Sequence, residues 1–538
     1  MDRHTMLSYR RGPDTPLLNL TTGEQLEQVA KRWPDRRALV SRHQHRQLSW
    51  AELLSAADGV ARGLHSLGLE AGDRVGVWAV NCYEWVVLHF GCARAGMVLV
   101  SVSPACRLHE LAFVLRKSRL KALFLRDHDE RANYSDILNE ARQGQDISLQ
   151  HAICFESREW YELISAGDRV SSSAALDDVI NIQYTSGTTG TPKGVLLTHR
   201  NLVNNGAAIA RALHYSEEDR ICIPVPLSHC FGNVIGTMAA LASGAEMILP
   251  SGTFDAGATL EAVEAEKATS LYGVPTMFIA ELRHPDFERF DLSSLRTGVM
   301  AGAPCPLEVM KQVIGRMGCR ELTIGYGLTE TSPIVTMSDV SDDIDRRVST
   351  VGKAMPCTEI KVVSTVNGEI APVGMEGEIC ARGYMVMKGY DDEPEATAQA
   401  IDCDGWLHTG DLGVMREDGY LKVTGRAKDM IIRGGENISP REIEEFLYTH
   451  PQVAEVHVTG LADECLGEIV LAWIRLRPGE AATAEGIRDF CQGRIAYFKV
   501  PAVIRFVDAF PTTLSGKIQK FRMREMEMGR QERALLPP

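Results

Sequence analysis

The chain has 538 residues, 45% hydrophobic and 24% charged. That length exceeds a single compact core and the composition excludes a disordered or fibrous chain, so a large multilobed domain with a smaller companion is expected. A net charge of −14 excludes a broad nucleic-acid surface and leaves no polybasic tail for anionic lipid, so a polyanion would need a locally basic or amide-rich pocket.

The N-terminal MDRHTMLSYRRGPDTPLL lacks the apolar run of a signal peptide, and WAVNCYEWVVLHFGCARAGMVLV carries Glu84, His89 and Arg94 within its apolar span. No transmembrane span is expected. From there short apolar runs alternate with amphipathic stretches: RVGVWAV then CYEWVVLHFGCARAG, MVLVSVS then RLHELAFVLRKS, then KALFL. This alternation predicts α/β layers on a mainly parallel sheet. Between Arg107 and Ser118, Leu108, Leu111, Ala112 and Leu115 fall at helical spacing and form a packing stripe.

A second alternation runs from about Asp219 to Met300, with MILP and SLYGVP as strands. After about Gly352 the segments EIKVVS, GEICARG and GYLKVTGR are shorter and punctuated by glycine, which predicts a β-rich subdomain. Beyond Arg426 the pattern resets with DMIIRGG, the helix PREIEEFLYTH opened by Pro440, the strands VAEVHVTGL and EIVLAWIRL, and a helix near Ala484 to Arg494. That is a small α+β unit. The 13 cysteines are scattered, with no CxxC pair and no His/Cys cluster at zinc spacing. They point to a reducing, cytoplasmic setting without structural zinc or a disulfide framework.

The strand VINIQY runs into TSGTTGTPKG, a loop whose glycines allow close backbone approach while hydroxyls and N–H groups converge as donors, an arrangement suited to a phosphate chain. It is not a Walker A loop, because Pro192 and not glycine precedes Lys193. Followed by GVLLTH, the stretch resembles the signature loop of the AMP-forming adenylating (ANL) enzymes, which include acyl-CoA synthetases, firefly-type luciferases and peptide-synthetase adenylation domains. Further motifs follow in that family's order, from about Leu17 to Arg522, and look closest to the medium-chain fatty acyl-CoA synthetases.

The resemblance implies a fold with a large N-terminal domain over residues 1–425, built from two parallel-sheet α/β subdomains and a β-barrel-like subdomain. A small mobile α+β domain over residues 426–538 completes it. It also implies ATP and Mg²⁺, with Thr185, Ser186, Gly187, Thr188, Thr189, Gly190 and Lys193 around the phosphates. Gly302, Ala303 and Pro304 of AGAP would line the adenine side. In GYGLTE, Tyr326 would stack near adenine beside Gly327, Thr329 would contact the α-phosphate and Glu330 would hold the metal, consistent with a carboxylate needing a hard cation beside a triphosphate. Asp411 of WLHTGDLG and Arg426 of GRAKDMI are implied at the ribose, and Lys517 of PTTLSGKIQK as the catalytic lysine. Lys428 would be the hinge, with Gly434 and Gly435 of RGGENISP facing the thiol tunnel. The stretch VSPACRLHE departs from many relatives at Ser103 and Cys106, which are given no role.

By the same resemblance the acyl pocket draws on Phe231, Gly232, Val234, Gly236, Met238, Met300 and Ala301, with Thr331, Ser332 and Pro333 beyond. The small Gly232 and Gly236 would leave room for a chain of medium length. His229 would gate the acyl tunnel or close over the carboxylate, with a packing histidine as the alternative. Amino-acid-activating relatives place an Asp just after the aromatic, where this chain has Gly232 and Asn233; a buried unpaired ammonium would cost several kcal/mol. The expected activity is therefore ATP-dependent ligation of a carboxylic acid, a medium-chain fatty acid first, to coenzyme A through an acyl-adenylate. An aryl acid is the nearest competitor, and a carrier protein acting in trans is the alternative acceptor. The oligomeric state is open, a homodimer included.

Overall fold

The computed structural model describes residues 6–129, 132–143, 148–165, 174–185, 192–303, 305–433, 436–463, 466–492, 494–495, 497–513 and 517–535. The chain divides into two units, one of Arg10–Ile360 and Ala381–His408, the other of Met1–Tyr9, Lys361–Cys380 and Thr409–Pro538.

In the first unit a seven-stranded sheet runs in the order Gly389–Tyr390, Lys193–Thr198, Val179–Thr185, Val98–Val102, Arg74–Trp78, Ala122–Leu125, His151–Cys154. Its strands from Val179–Thr185 to His151–Cys154 are parallel. Val179–Thr185 and Lys193–Thr198 form an antiparallel hairpin, and Gly389–Tyr390 adds antiparallel to its outer edge. The helix Tyr83–Ala95 is buried on every side, as expected of a helix apolar all round. Arg94 is paired, donating to Asp58 at 2.7 Å and to Glu27 at 3.1 Å, and Glu84 accepts from the Gln44 amide at 2.8 Å. With 13 residues it is short of the roughly 20 that a bilayer requires, and no helix among the described residues is long and apolar enough to cross a membrane. In the helix Leu108–Ser118 the stripe residues Leu111, Ala112 and Leu115 are buried, while Leu108 at its start is partly exposed.

The second sheet has nine strands, ordered Lys353–Ala354, Ile334–Met337, Glu321–Gly327, Thr297–Ala301, Ser270–Gly273, Arg220–Cys222, Glu246–Leu249, Arg37–Ser41, Arg46–Ser49. The six from Glu321–Gly327 to Arg37–Ser41 are parallel. Ala301 is in register with Gly325, and Val299 with Tyr272. The AGAP and GYGLTE segments therefore leave the carboxyl ends of adjacent parallel strands, where ligands of open α/β sheets bind.

Alternation along these strands divides the core. Tyr272, Val299 and Ala301 join the cluster that holds Phe231, Val234 and Met238. Leu271 and Met300 face the opposite cluster, with Phe278 and Met310.

A third sheet, Tyr9–Arg11, Thr358–Val363, Glu376–Gly383, Leu407–Met415, Leu421–Arg426 in that order, supplies the β-rich subdomain expected from the glycine-punctuated segments. In the second unit Glu436–Ile438, Ile431–Arg433, Gly467–Leu476 and Val453–Asp463 form a sheet, and Val503–Phe506 pairs parallel with Gly467–Leu476. The helices Pro440–Leu447 and Ala484–Cys491 contribute Ile443, Leu447, Ile487 and Cys491 to its core.

Candidate active site

The hairpin that carries the Thr/Ser/Gly loop ends in register at Thr185 and Lys193, where the Thr185 hydroxyl lies 3.5 Å from the Lys193 carbonyl oxygen. Ser186, Gly187, Thr188, Thr189 and Gly190 lie outside the described residues, as does Pro304. At the hairpin mouth the Lys193 ammonium sits over the Tyr390 ring, 4.8 Å from its centroid. The Tyr390 hydroxyl donates to Glu330 Oε1 at 2.9 Å, and the Met387 N–H donates to the Glu330 carbonyl at 2.9 Å. A cation, an aromatic hydroxyl and a carboxylate thus follow one another at the end of the glycine-rich hairpin. Burial, then the Glu330 charge, raises the Tyr390 pKa, so its hydroxyl stays a donor at neutral pH.

Tyr390 and its neighbour Asp391 were not singled out in the sequence. The strand Gly389–Tyr390 is two residues long and lies about two hundred positions after the hairpin it pairs with. No local periodicity marks so short an edge strand. Asp391 is nearly fully buried; it takes a bidentate pair from Arg74 at 2.8 and 2.6 Å, while its N–H donates to the Gly194 carbonyl at 2.8 Å. This fixes the edge strand against the hairpin. A charge-assisted fork of this kind is among the stronger and more directional hydrogen-bonded pairs.

Beside the carboxyl ends of the nine-stranded sheet, Gly302 has φ +84°, a conformation that favours glycine, and Gly302 and Ala303 are exposed. Tyr326 is nearly buried at the end of its strand. Gly327 follows where a Cβ would overlap the Pro333 carbonyl. Thr329 and Glu330 sit in the single turn Thr329–Thr331, partly exposed. The Thr329 hydroxyl is 3.8 Å from Cys230 Sγ, which brings it next to His229. That histidine is exposed; its Nδ1 accepts from the Phe231 N–H at 3.1 Å. Nδ1 being an acceptor, the neutral ring carries its proton on Nε2. Behind this turn Thr331 donates to the Pro333 carbonyl at 2.6 Å, and Ser332 donates to the Met385 carbonyl at 2.6 Å. Both hydroxyls are occupied by backbone.

The segment Phe231–Met238 is a buried π-helix. Two expectations about the acyl pocket are corrected. A Cβ at Gly232 would overlap the Pro226 carbonyl, and one at Gly236 would stand 3.0 Å from Ile223 Cδ1. These glycines let the helix close onto the preceding strand and loop, and their missing side chains open no space for a ligand. Met300 lies on the far side of its sheet from Phe231, Val234 and Ala301, because side chains alternate along a strand. Met238 packs where Gly206 has no side chain. Asn233 is fully buried, and its Oδ1 lies 3.4 Å from the Thr237 hydroxyl.

The second unit holds the remaining motifs. Asp411 and Arg426 stand opposite each other across the hairpin Leu407–Met415/Leu421–Arg426, with Arg426 Nε donating to Asp411 Oδ1 at 3.0 Å. Asp411 is 5% exposed, and its N–H donates to Thr409 Oγ1 at 3.1 Å. Lys428 falls in the turn Ala427–Asp429, its side chain outside the described residues together with Gly434 and Gly435. Lys517 is exposed; its backbone closes a turn with Thr513 through bonds of 2.8 and 3.1 Å.

With hairpin, strand-end turns and the paired Asp and Arg in view, the family models agree along the chain. The AMP-binding enzyme model matches residues 26–391 and the AMP-binding enzyme C-terminal domain model residues 442–517. The chain belongs to the AMP-binding enzyme family. It is 47% identical to YngI of Bacillus subtilis (strain 168), over 95% of this chain and 97% of that protein. It is 42% identical to the mitochondrial medium-chain acyl-CoA ligase ACSF2 of Mus musculus, over 96% of this chain and 89% of that protein. Among solved structures, ATP-bound MatB from Rhodopseudomonas palustris superposes with a TM-score of 0.84 at 29% identity, covering 94% of this chain and 99% of that one.

Proposed function

We propose that the protein is an ATP-dependent acyl-CoA ligase that activates a medium-chain fatty acid. The observation that carries this reading is the match along nearly the whole chain to a medium-chain acyl-CoA ligase, joined to the ATP-bound structural relative. In the first half-reaction a carboxylate oxygen of the acid attacks the α-phosphorus of ATP, and pyrophosphate leaves with the bridging oxygen. In the second, the thiol sulfur of coenzyme A attacks the acyl carbonyl carbon of the adenylate; the thiol proton is lost and AMP leaves as the anion. The division serves the chemistry: a free carboxylate is a poor electrophile, and the mixed anhydride has a good leaving group.

The roles assigned are electrostatic and positional. The hairpin loop from Thr185 to Lys193 holds the phosphates, Lys193 supplying positive charge at its mouth. Glu330 is the proposed Mg²⁺ ligand. Its fit rests on geometry: Oε1 is held by Tyr390, no described residue bonds Oε2, and a carboxylate oxygen suits a hard cation. When bound, Mg²⁺ would neutralise phosphate charge. Thr329 donates to the α-phosphate, Gly302 to Pro304 and Tyr326 enclose the adenine, and Asp411 and Arg426 hold the ribose. His229 is assigned to the acid, at the mouth of the acyl tunnel or over the carboxylate. Lys517 neutralises charge growing on the acid and α-phosphate in the first half-reaction. We place the domain border after residue 425, with Lys428 as the hinge between half-reactions and Gly434 and Gly435 beside the pantetheine arm. A cytoplasmic setting is proposed on the twelve free cysteines among the described residues, which suit a reducing compartment.

Replacing Lys517 separates the steps. Lys517→Ala should lose most acid-dependent pyrophosphate release while still transferring a supplied acyl-adenylate to coenzyme A. Equal loss in both assays would rule the assignment out.

A further inference from the structure

We infer that Tyr272, braced by Tyr215, is the end wall of the acyl pocket and sets the longest fatty acid the enzyme accepts. The inference rests on the fatty-acid reading above and names the residue that bounds it. Tyr272 lies on the strand Ser270–Gly273, in register with Val299 of the neighbouring parallel strand. It therefore stands on the same sheet face as Val299 and Ala301, one strand across from Ala301 and two residues deeper. The offset is about 8 Å, directed away from the strand ends where the adenylate would form. The Tyr272 ring packs against Phe231, centroids 5.9 Å apart. Both belong to the cluster that contains Val234 and Met238.

A tyrosine at the end of an apolar pocket could swing aside for a longer chain unless its hydroxyl is tied down. Here it is tied at both ends. Tyr272 donates to the Ile235 carbonyl of the π-helix at 3.3 Å and accepts from the Tyr215 hydroxyl at 2.9 Å; Tyr215 in turn lies 2.5 Å from Ser270 Oγ. With Ser270 as donor to Tyr215, the hydroxyls run in one direction, Ser270 to Tyr215 to Tyr272 to Ile235, each donating once. Tyr272 and Ser270 are fully buried, so displacing the ring would leave polar groups unpaired away from water, at a cost that a satisfied network avoids. The same tether links the strand Ser270–Gly273 to the π-helix Phe231–Met238. Phe231 and Val299 belong to the same apolar cluster as Tyr272, and the hydroxyl network begins where the acyl chain should end.

The test compares kcat/KM for octanoate, laurate and palmitate, read as AMP formed with MgATP and coenzyme A, in the wild type and in Tyr272→Ala, Tyr272→Phe, Tyr215→Phe and Met300→Ala. One methylene in an apolar pocket changes kcat/KM by about tenfold or more, so the palmitate-to-octanoate ratio should rise by at least about tenfold in Tyr272→Ala. It should rise less in Tyr272→Phe and Tyr215→Phe, where the ring remains but its tether is cut. Met300→Ala, on the other face of the sheet, should leave the ratio unchanged. A soluble Tyr272→Ala enzyme with the wild-type ratio would overturn the inference. If that variant fails to fold, an unchanged ratio in both phenylalanine variants would overturn it equally. A wild-type enzyme that forms no AMP with any of the three acids would overturn the fatty-acid reading itself, and the end wall with it.

Discussion

Tyr390→Phe separates a hydroxyl from the ring that carries it. The phenyl face stays beneath the Lys193 ammonium, so the cation–π contact survives. What is lost is the 2.9 Å hydrogen bond to Glu330 Oε1. A bond to a charged acceptor at a partly buried site is worth about 1.5–3 kcal/mol, which corresponds to about ten- to hundredfold in rate. If Glu330 must be held still to bind the metal of MgATP, that loss belongs to the first half-reaction alone. Pyrophosphate release with acid and ATP should fall by the stated factor, with a higher Mg²⁺ requirement. Transfer of a supplied acyl-adenylate to coenzyme A should proceed at the wild-type rate. Wild-type kcat/KM for MgATP at limiting Mg²⁺ would refute the reasoning, because a hydroxyl that merely fills space would leave that constant alone.

Other perturbations test the frame around the site. Gly327→Ala puts a methyl into the Pro333 carbonyl; a lower melting temperature and loss of acid-dependent ATP use are expected, and wild-type values in both would contradict that packing. Glu246, buried beside Arg37 and near Glu266, has its pKa raised to about 7, chiefly by burial. The folded state therefore holds this proton more tightly than the unfolded chain, so its contribution is full below the unfolded value and is lost as pH rises through about 7. Glu246→Gln should remove about 3 kcal/mol of that dependence, read as a flatter denaturant midpoint between pH 5 and pH 8, whereas an unchanged slope would exclude it. His199 is buried, its Nδ1 3.1 Å from the Thr22 N–H, and burial lowers its pKa to about 4. Its contribution is present above the ordinary histidine range and is lost as pH falls toward about 4. His199→Gln should therefore flatten the acid limb of the stability profile, and an acid limb identical to wild type would argue against it.

Much of the scaffold could be read directly from the sequence. RVGVWAV, MVLVSVS and KALFL became the parallel strands Arg74–Trp78, Val98–Val102 and Ala122–Leu125, because continuous apolar runs suit strands covered on both faces. The helix Pro440–Leu447 begins at the proline that marked it, since proline at the first helical position forfeits no bond. The AGAP and GYGLTE segments run out of the ends of Thr297–Ala301 and Glu321–Gly327.

What could not be read depends on direction and distance. Met300 and Ala301 are adjacent in sequence, yet they enter opposite cores, because which way a strand's alternation falls is decided by what packs on each face. Gly232 and Gly236 suggest space in a string of letters, but the folded chain fills it with Pro226 and Ile223. Tyr390 and Tyr272 meet the site only through long-range pairing, with Lys193–Thr198 for one and Thr297–Ala301 for the other.

The most direct measurement is a stoichiometry: incubate the enzyme with octanoate, MgATP and coenzyme A, and quantify nucleotide and thioester products together over time. The expected result is AMP and octanoyl-CoA appearing in equal amounts, with neither formed when the acid is omitted. ADP in place of AMP, or AMP without a thioester, would contradict an acyl-CoA ligase acting through an acyl-adenylate.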